Sequence, residues 1–206
     1  MDIFEACVGS YKDAKRALDL GAHRIELCDN LIEGGTTPSY GTISMTCKNV
    51  DLPIMVIIRP RGGDFLYTKE EIEIMKIDIK MCKELGVYGI VIGILDRNNN
   101  IDKVRLKELI EEAKPLNITF HMAFDEIEDK SRALKELIDL KVHRVLTKGG
   151  HENAFKGKKV IKSLIKEGGG KIVILPGGGV TRDNYKELKE YTGAVEFHGT
   201  KIVGEL

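Results

Sequence analysis

The sequence predicts a single (β/α)8 TIM barrel that lacks a full-length eighth helix. Three observations lead there. Eight apolar, β-rich bursts recur at intervals of roughly 20 to 35 residues, helical periodicity fills most of the intervals, and charged or soft side chains gather where the bursts end.

The bursts run Ile3 to Val8, His23 to Cys28, Ile54 to Ile58, Gly89 to Leu95, Ile118 to Phe120, Arg144 to Leu146, Lys171 to Leu175 and Ala194 to Phe197. Between them, Ile72, Met75, Ile79 and Cys82 share one face of a helix, and Leu106, Leu109, Ile110 and Ala113 share another. Helix starts are marked as well. Ser10 with Asp13 and Thr68 with Glu71 have capping-box spacing, and Asp102 and Asp129 stand where N-caps belong. Glycine clusters at Gly62-Gly63, Gly168 to Gly170 and Gly177 to Gly179 fall at element ends and mark turns within one domain. Strands alternating with helices imply a parallel sheet with right-handed crossovers, and eight such units favour closure over an open doubly wound sheet. After the eighth burst only Gly199 to Leu206 remain where a helix would cover the sheet. Apolar surface left bare there predicts a homo-oligomer, with a simple short tail as the alternative.

A chain of 206 residues with 42% apolar content can bury one sizeable core, so residues 1–206 are read as one domain. Its 32 basic and 32 acidic side chains cancel, which leaves no electrostatic footprint for nucleic acid or an anionic membrane. The start, Met1 to Glu5, has neither a basic stretch nor a long apolar run, and no window reaches the roughly 18 apolar residues of a membrane span. A cytoplasmic protein with a small partner is expected. Cys7, Cys28, Cys47 and Cys82 are too few and scattered for a disulfide framework, and are read as free thiols or metal ligands.

In such a barrel the working groups lie at the carboxyl ends of the strands. Those ends offer Glu5 and Cys7, Glu26 and Cys28, then Arg59, Arg61 and Asp64, then His121 and Asp125, Thr147 and Lys148, and finally Glu196 and His198. Any one of them alone could satisfy a neighbour in the barrel interior. Burying Glu5, Glu26, Arg59, His121 and Glu196 together demands mutual pairing, which favours a polar pocket. Cys7 and Cys28 end adjacent strands, about 4.8 Å apart in a sheet, so two thiols can converge. Soft thiolates select copper(I), whereas structural zinc takes four ligands and no paired CxxC occurs. A free cysteine is equally at home as a small buried hydrophobe, and Cys47 and Cys82 are read that way. Arg59 and Arg61 beside Asp64 suit an anion or an internal pair holding the loop. Gly177, Gly178 and Gly179, with His198 and Gly199, suit phosphate binding through backbone N–H groups or simple tight turns. His121 and Asp125 suggest a base oriented by a carboxylate.

The blocks Ala22 to Cys28, Glu33 to Ser39, Ile58 to Phe65, Thr119 to His121, Ala123 to Asp125, Pro176 to Gly179 and Glu196 to His198 follow one another along nearly the whole chain. They resemble the signature blocks of the CutC copper homeostasis family. The resemblance implies a (β/α)8 barrel, a cytoplasmic location and a role in copper tolerance or trafficking, with Cys7 and Cys28 matching the cysteines proposed to hold copper(I). The sequence departs from the family pattern at Met122, where an arginine is usual, at Lys148, where a serine is usual, and in lacking a carboxyl-terminal extension. Loss of that arginine removes a rigid anion donor. Two functions are therefore expected: a copper(I) buffer or carrier, or an enzyme acting on a small phosphorylated or carboxylated metabolite. In the second, Arg59, Arg61 and the glycine loop grip the anion while His121, Glu26 or Glu196 move protons.

Overall fold

Side chains alternate between the two faces of a strand, and in the computed structural model, which describes residues 2–206, that alternation decides what enters the barrel. Eight parallel strands, β1 (Ile3–Val8), β2 (Arg24–Leu27), β3 (Ile54–Ile57), β4 (Gly89–Ile92), β5 (Asn117–Phe120), β6 (Arg144–Thr147), β7 (Val173–Pro176) and β8 (Glu196–Gly199), form one sheet ordered β7-β6-β5-β4-β3-β2-β1-β8. β7 and β8, at the two ends of this order, lie side by side and bring the barrel round on itself.

Outward-facing Ile25, Leu27, Ile54, Val56, Ile90 and Ile92 pack beneath the helices in one continuous apolar core. The inward faces are different. A small apolar cluster of Cys7, Cys28, Met55, Ile57 and Val91 forms there, Leu146 and Leu175 share the inward parity of Arg144, and much of the remaining interior is polar.

Among the described residues seven α-helices wrap this sheet: α1 (Tyr11–Asp19), α2 (Tyr40–Asn49), α3 (Lys69–Glu84), α4 (Lys103–Ala113), α5 (Lys130–Asp139), α6 (Lys158–Gly168) and α7 (Tyr185–Thr192). Their starts follow the local chemistry. Thr68 and Glu71 form a reciprocal capping box on α3, while Ser10, Asp102 and Asp129 each accept a backbone N–H of the first turn. Ile72, Met75, Ile79 and Cys82 are the buried face of α3, as the 3.6-residue period requires. Among the described residues no helix follows β8. Ile202 and Val203 are instead buried in the main core and Leu206 packs against it, so the tail covers surface that an eighth helix would occupy.

Inside the barrel, near the strand starts, five ionisable side chains are locked together. Arg24 on β2 pairs with Glu5 on β1 and, at 2.5 Å, with Glu196 on β8. Arg144 on β6 reaches the same Glu196 oxygen at 3.0 Å, and Glu5 meets His198 Nδ1 at 2.9 Å. All five residues are buried. The Arg144–Glu196 pair spans from β6 to β8 past β7, across the seam where the ends of the sheet meet.

Removing Arg24 leaves Glu5 and Glu196 as buried, partly unpaired carboxylates, a change that costs about 3–5 kcal/mol in comparable settings. Arg24→Met should therefore lower the stability measured by urea unfolding by several kcal/mol. An exposed pair such as Lys156–Glu152, neutralised in the same way, should shift it by about 1 kcal/mol or less.

Candidate functional site

The carboxyl ends of the strands open into a cavity of about 380 Å³. Residues of inward parity supply its walls: Cys7, Glu26, Cys28, Ile57, Arg59, His121, Leu146, Lys148, His198 and Thr200, joined by Leu31, Glu33, Phe65, Met122 and Glu126 from the loops. The walls divide into a sulfur side and a cationic side.

On the sulfur side the β1–β2 register sets Cys7 opposite Glu26, and Cys28 N–H donates to Val8 O at the strand ends. The Cys7 and Cys28 sulfurs are 3.9 Å apart and reduced. His198 lies between two carboxylates, with Nδ1 on Glu5 and Nε2 3.5 Å from Glu26. One ligand atom each from Cys7, Glu26 and His198 falls within 4.8 Å of the others.

Charge is distributed unevenly among these groups. Burial opposes ionisation of Glu5, yet His198 and Arg24 outweigh it and hold the carboxyl at about 2. Burial likewise opposes a charge on His198, but Glu26, Cys7 and Glu5 surround it and keep its pKa well above the ordinary value. The hydrogen bond with Cys28 and the neighbouring His198 draw the Cys7 thiol well down, while Cys28, hydrogen-bonded to Cys7 and buried, is pushed well up. Glu26 is raised by burial and by the charge of Cys7. The pair is thus split into a thiolate-prone Cys7 and a proton-retaining Cys28.

The donor set fits a soft ion. Thiolate bonds of about 2.3 Å, the zinc–sulfur length, reach together up to about 4.6 Å, so both sulfurs can touch one ion. Imidazole and carboxylate stand beside them, and soft sulfur favours copper(I) over hard cations.

On the cationic side Arg59 donates through Nη1 to the carbonyls of Glu33 and Gly35 and through Nη2 to Gly63, fixing the loop while keeping its charge at the cavity wall. His121 Nδ1 accepts from Ala123 N–H, and the ring packs on Phe65 at 4.9 Å between centroids. Gly93 is required opposite, because a Cβ there would run into the imidazole.

Several sequence-predicted residues lie elsewhere. Asp125 does not orient His121; its carboxylate accepts from the Thr147 hydroxyl and from the N–H groups of Lys148 and Gly150, tying down the loop after β6. Arg61 turns to Asp64 and Glu71, the internal-pair alternative. Glu196 sits below the cavity with Arg24 and Arg144. Gly177 N–H donates to Thr147 O, and Met122 and Lys148 pack against Gly177 and Gly178, so the glycine turn stands behind the wall; Gly199 is backed by Val180 O. Cys47 and Cys82 lie outside the cavity, and burial pushes Cys82 up to about 12. Sequence reading missed Arg24 and Arg144 in the ion network and Phe65, Glu33 and Glu126 in the walls. The two arginines carried a usable signal, since each shares strand parity with a cavity residue two positions on.

Together the fold and cavity define a (β/α)8 barrel with a sulfur-, imidazole- and cation-lined pocket at its strand ends. The chain belongs to the CutC family, whose model matches residues 2–203. It is 46% identical over 196 residues to the copper homeostasis protein cutC homologue of Mus musculus, covering 95% of this chain and 72% of that protein. It is also 47% identical over 200 residues to a CutC family protein of Parabacteroides distasonis, covering 95% and 81%. The crystal structure of CutC from Streptococcus agalactiae superposes with a TM-score of 0.93 at 38% identity, over 98% of this chain and 100% of that one. An aldolase at 11% identity and a TM-score of 0.73 shares the fold alone. Among the described residues no helix is long and apolar enough to cross a membrane.

Burial, reinforced by the Arg59 charge, pushes His121 from 6.5 down to about 3. Below about pH 6.5 the unfolded chain takes a proton there that the folded protein refuses until about pH 3. Stability from the neutral ring is therefore complete above that window and drains as pH falls through it, at up to about 1.4 kcal/mol per pH unit. Urea unfolding near pH 7 and pH 5 should show a steeper loss for the wild type than for His121→Phe; equal losses contradict this account.

Proposed function

We propose that this protein serves copper homeostasis as a cytosolic copper(I) buffer or carrier, with the ion as cargo on Cys7 and Cys28 and with His198 and Glu26 completing its surroundings. One observation carries the reading: two reduced sulfurs 3.9 Å apart open on a cavity that also presents an imidazole and a carboxylate. The names of the mouse and human relatives, each 46% identical over 196 residues, support it. A reducing cytosol keeps both thiols available.

The ion network gives the sulfur pair its character. Glu5 anchors His198, the His198 charge favours a thiolate at Cys7, and the thiol proton of Cys28 leaves on binding. Titration against a chromogenic copper(I) chelator under reducing conditions should reveal about one ion per chain. Loss of an outer-sphere partner typically weakens metal binding by about 10–100-fold, so loss of a sulfur ligand in Cys7→Ser or Cys28→Ser should exceed about 100-fold. Unchanged affinity in both variants would sink the reading, and Cys82→Ser should leave affinity as it is.

A further inference from the structure

Neither the ion network nor the sulfur pair accounts for His121. The residue is 5% exposed and lines the cavity, yet among the described residues Nε2 has no hydrogen-bond partner. Because Nδ1 accepts from Ala123 N–H, the neutral ring carries its proton on Nε2. Phe65 and Gly93 both lie against the imidazole and limit its movement. A fixed, neutral, unpartnered N–H donor in a buried wall is a group for which a ligand oxygen is the natural partner.

A second observation concerns charge. Asp125 bonds the backbone around Lys148 and so delivers that side chain to the cavity, where no carboxylate pairs with its ammonium among the described residues. Arg59 adds positive charge, with both terminal nitrogens already occupied by backbone carbonyls. Glu26, Glu33 and Glu126 line the same space. Three carboxylates disfavour a dianion, and the few donors here fall short of the many that a phosphate accepts, whereas a carboxylate needs only two or three. Phe65 and Leu146 offer an apolar wall for the rest of a small molecule.

We propose that the cationic side of the cavity binds a small monocarboxylate, whose oxygens accept the Nε2–H of His121 and pair with the Lys148 ammonium, its body lying against Phe65 and Leu146. The site is independent of copper. Lys148 supplies its cation from the loop after β6. Met122 shares that wall, since a Cβ on Gly178 would lie 3.3 Å from Lys148 Cβ and 3.8 Å from Met122 Cε. A cation placed at position 122 would therefore serve the same pocket.

Thermal unfolding of the copper-free full chain, in chelator and reductant, tests this with acetate, pyruvate, lactate and inorganic phosphate as probes. At least one monocarboxylate should raise Tm in proportion to the logarithm of its concentration, beyond a chloride control of equal ionic strength. Phosphate should raise it less. His121→Phe and Lys148→Met should each raise the concentration needed for a given shift at least tenfold, and Lys148→Ser combined with Met122→Arg should recover binding lost in Lys148→Ser. Lys148 is half-exposed on a loop, so its variants stay informative if His121→Phe folds poorly. The proposal is overturned if no monocarboxylate exceeds the chloride control, if phosphate matches them, if the shift survives Lys148→Met, or if the double variant recovers nothing. The chelator keeps this outcome separate from the copper titration.

Discussion

The chain of buried ion pairs Arg144–Glu196–Arg24–Glu5–His198 is the constraint on which the rest depends. Burying this many charges is costly, and the cost is offset only when every member meets its partner, so the network tolerates one arrangement of the strands. It joins β1, β2, β6 and β8, including the two strands that flank β7 at the seam. A barrel whose interior near the strand starts is ionic cannot slip register without stranding a charge. The network also reaches upward. Glu5 holds one edge of His198, and the charge this favours on the imidazole acts on Cys7 and Glu26 at the other edge.

Stability and chemistry are consequently coupled through one residue. His198 belongs to the ion network by its Nδ1 and to the sulfur cluster by its Nε2. A substitution deep in the barrel, at Arg24 for instance, would disturb the sulfur pair without touching it. Across the cavity His121 has no such anchor in charge. Burial keeps it neutral, and its position is held by Ala123, Phe65 and the absence of a side chain at Gly93. Two imidazoles in one cavity thus have opposite protonation preferences for physical reasons visible in their neighbours: carboxylates around one, a guanidinium and apolar groups around the other.

Local rules account for much of what could be read in advance. The Thr68–Glu71 capping box and the α3 face of Ile72, Met75, Ile79 and Cys82 depend on spacings of three and four residues, which sequence displays directly. Convergence of Cys7 and Cys28 was legible because adjacent parallel strands leave little freedom at their ends. The fate of Arg59 and Arg61 was not. Both point from one short loop, but Arg59 finds three carbonyls beside the cavity while Arg61 finds Glu71, the residue already capping α3, and Asp64.

By itself the sequence determined the alternation of strands and helices, the inward parity of Glu5, Cys7, Glu26 and Cys28, and the helix caps, because each follows from backbone periodicity and neighbours a few residues apart. Only the tertiary structure decided that Glu196 lies beneath the cavity with Arg24 and Arg144, that Asp125 braces the β6 loop instead of His121, and that Ile202 and Val203 fill the place of a helix. Those outcomes depend on which distant charges and apolar groups share a volume once the barrel closes, and pairing energy in a buried site depends on that arrangement rather than on separation along the chain.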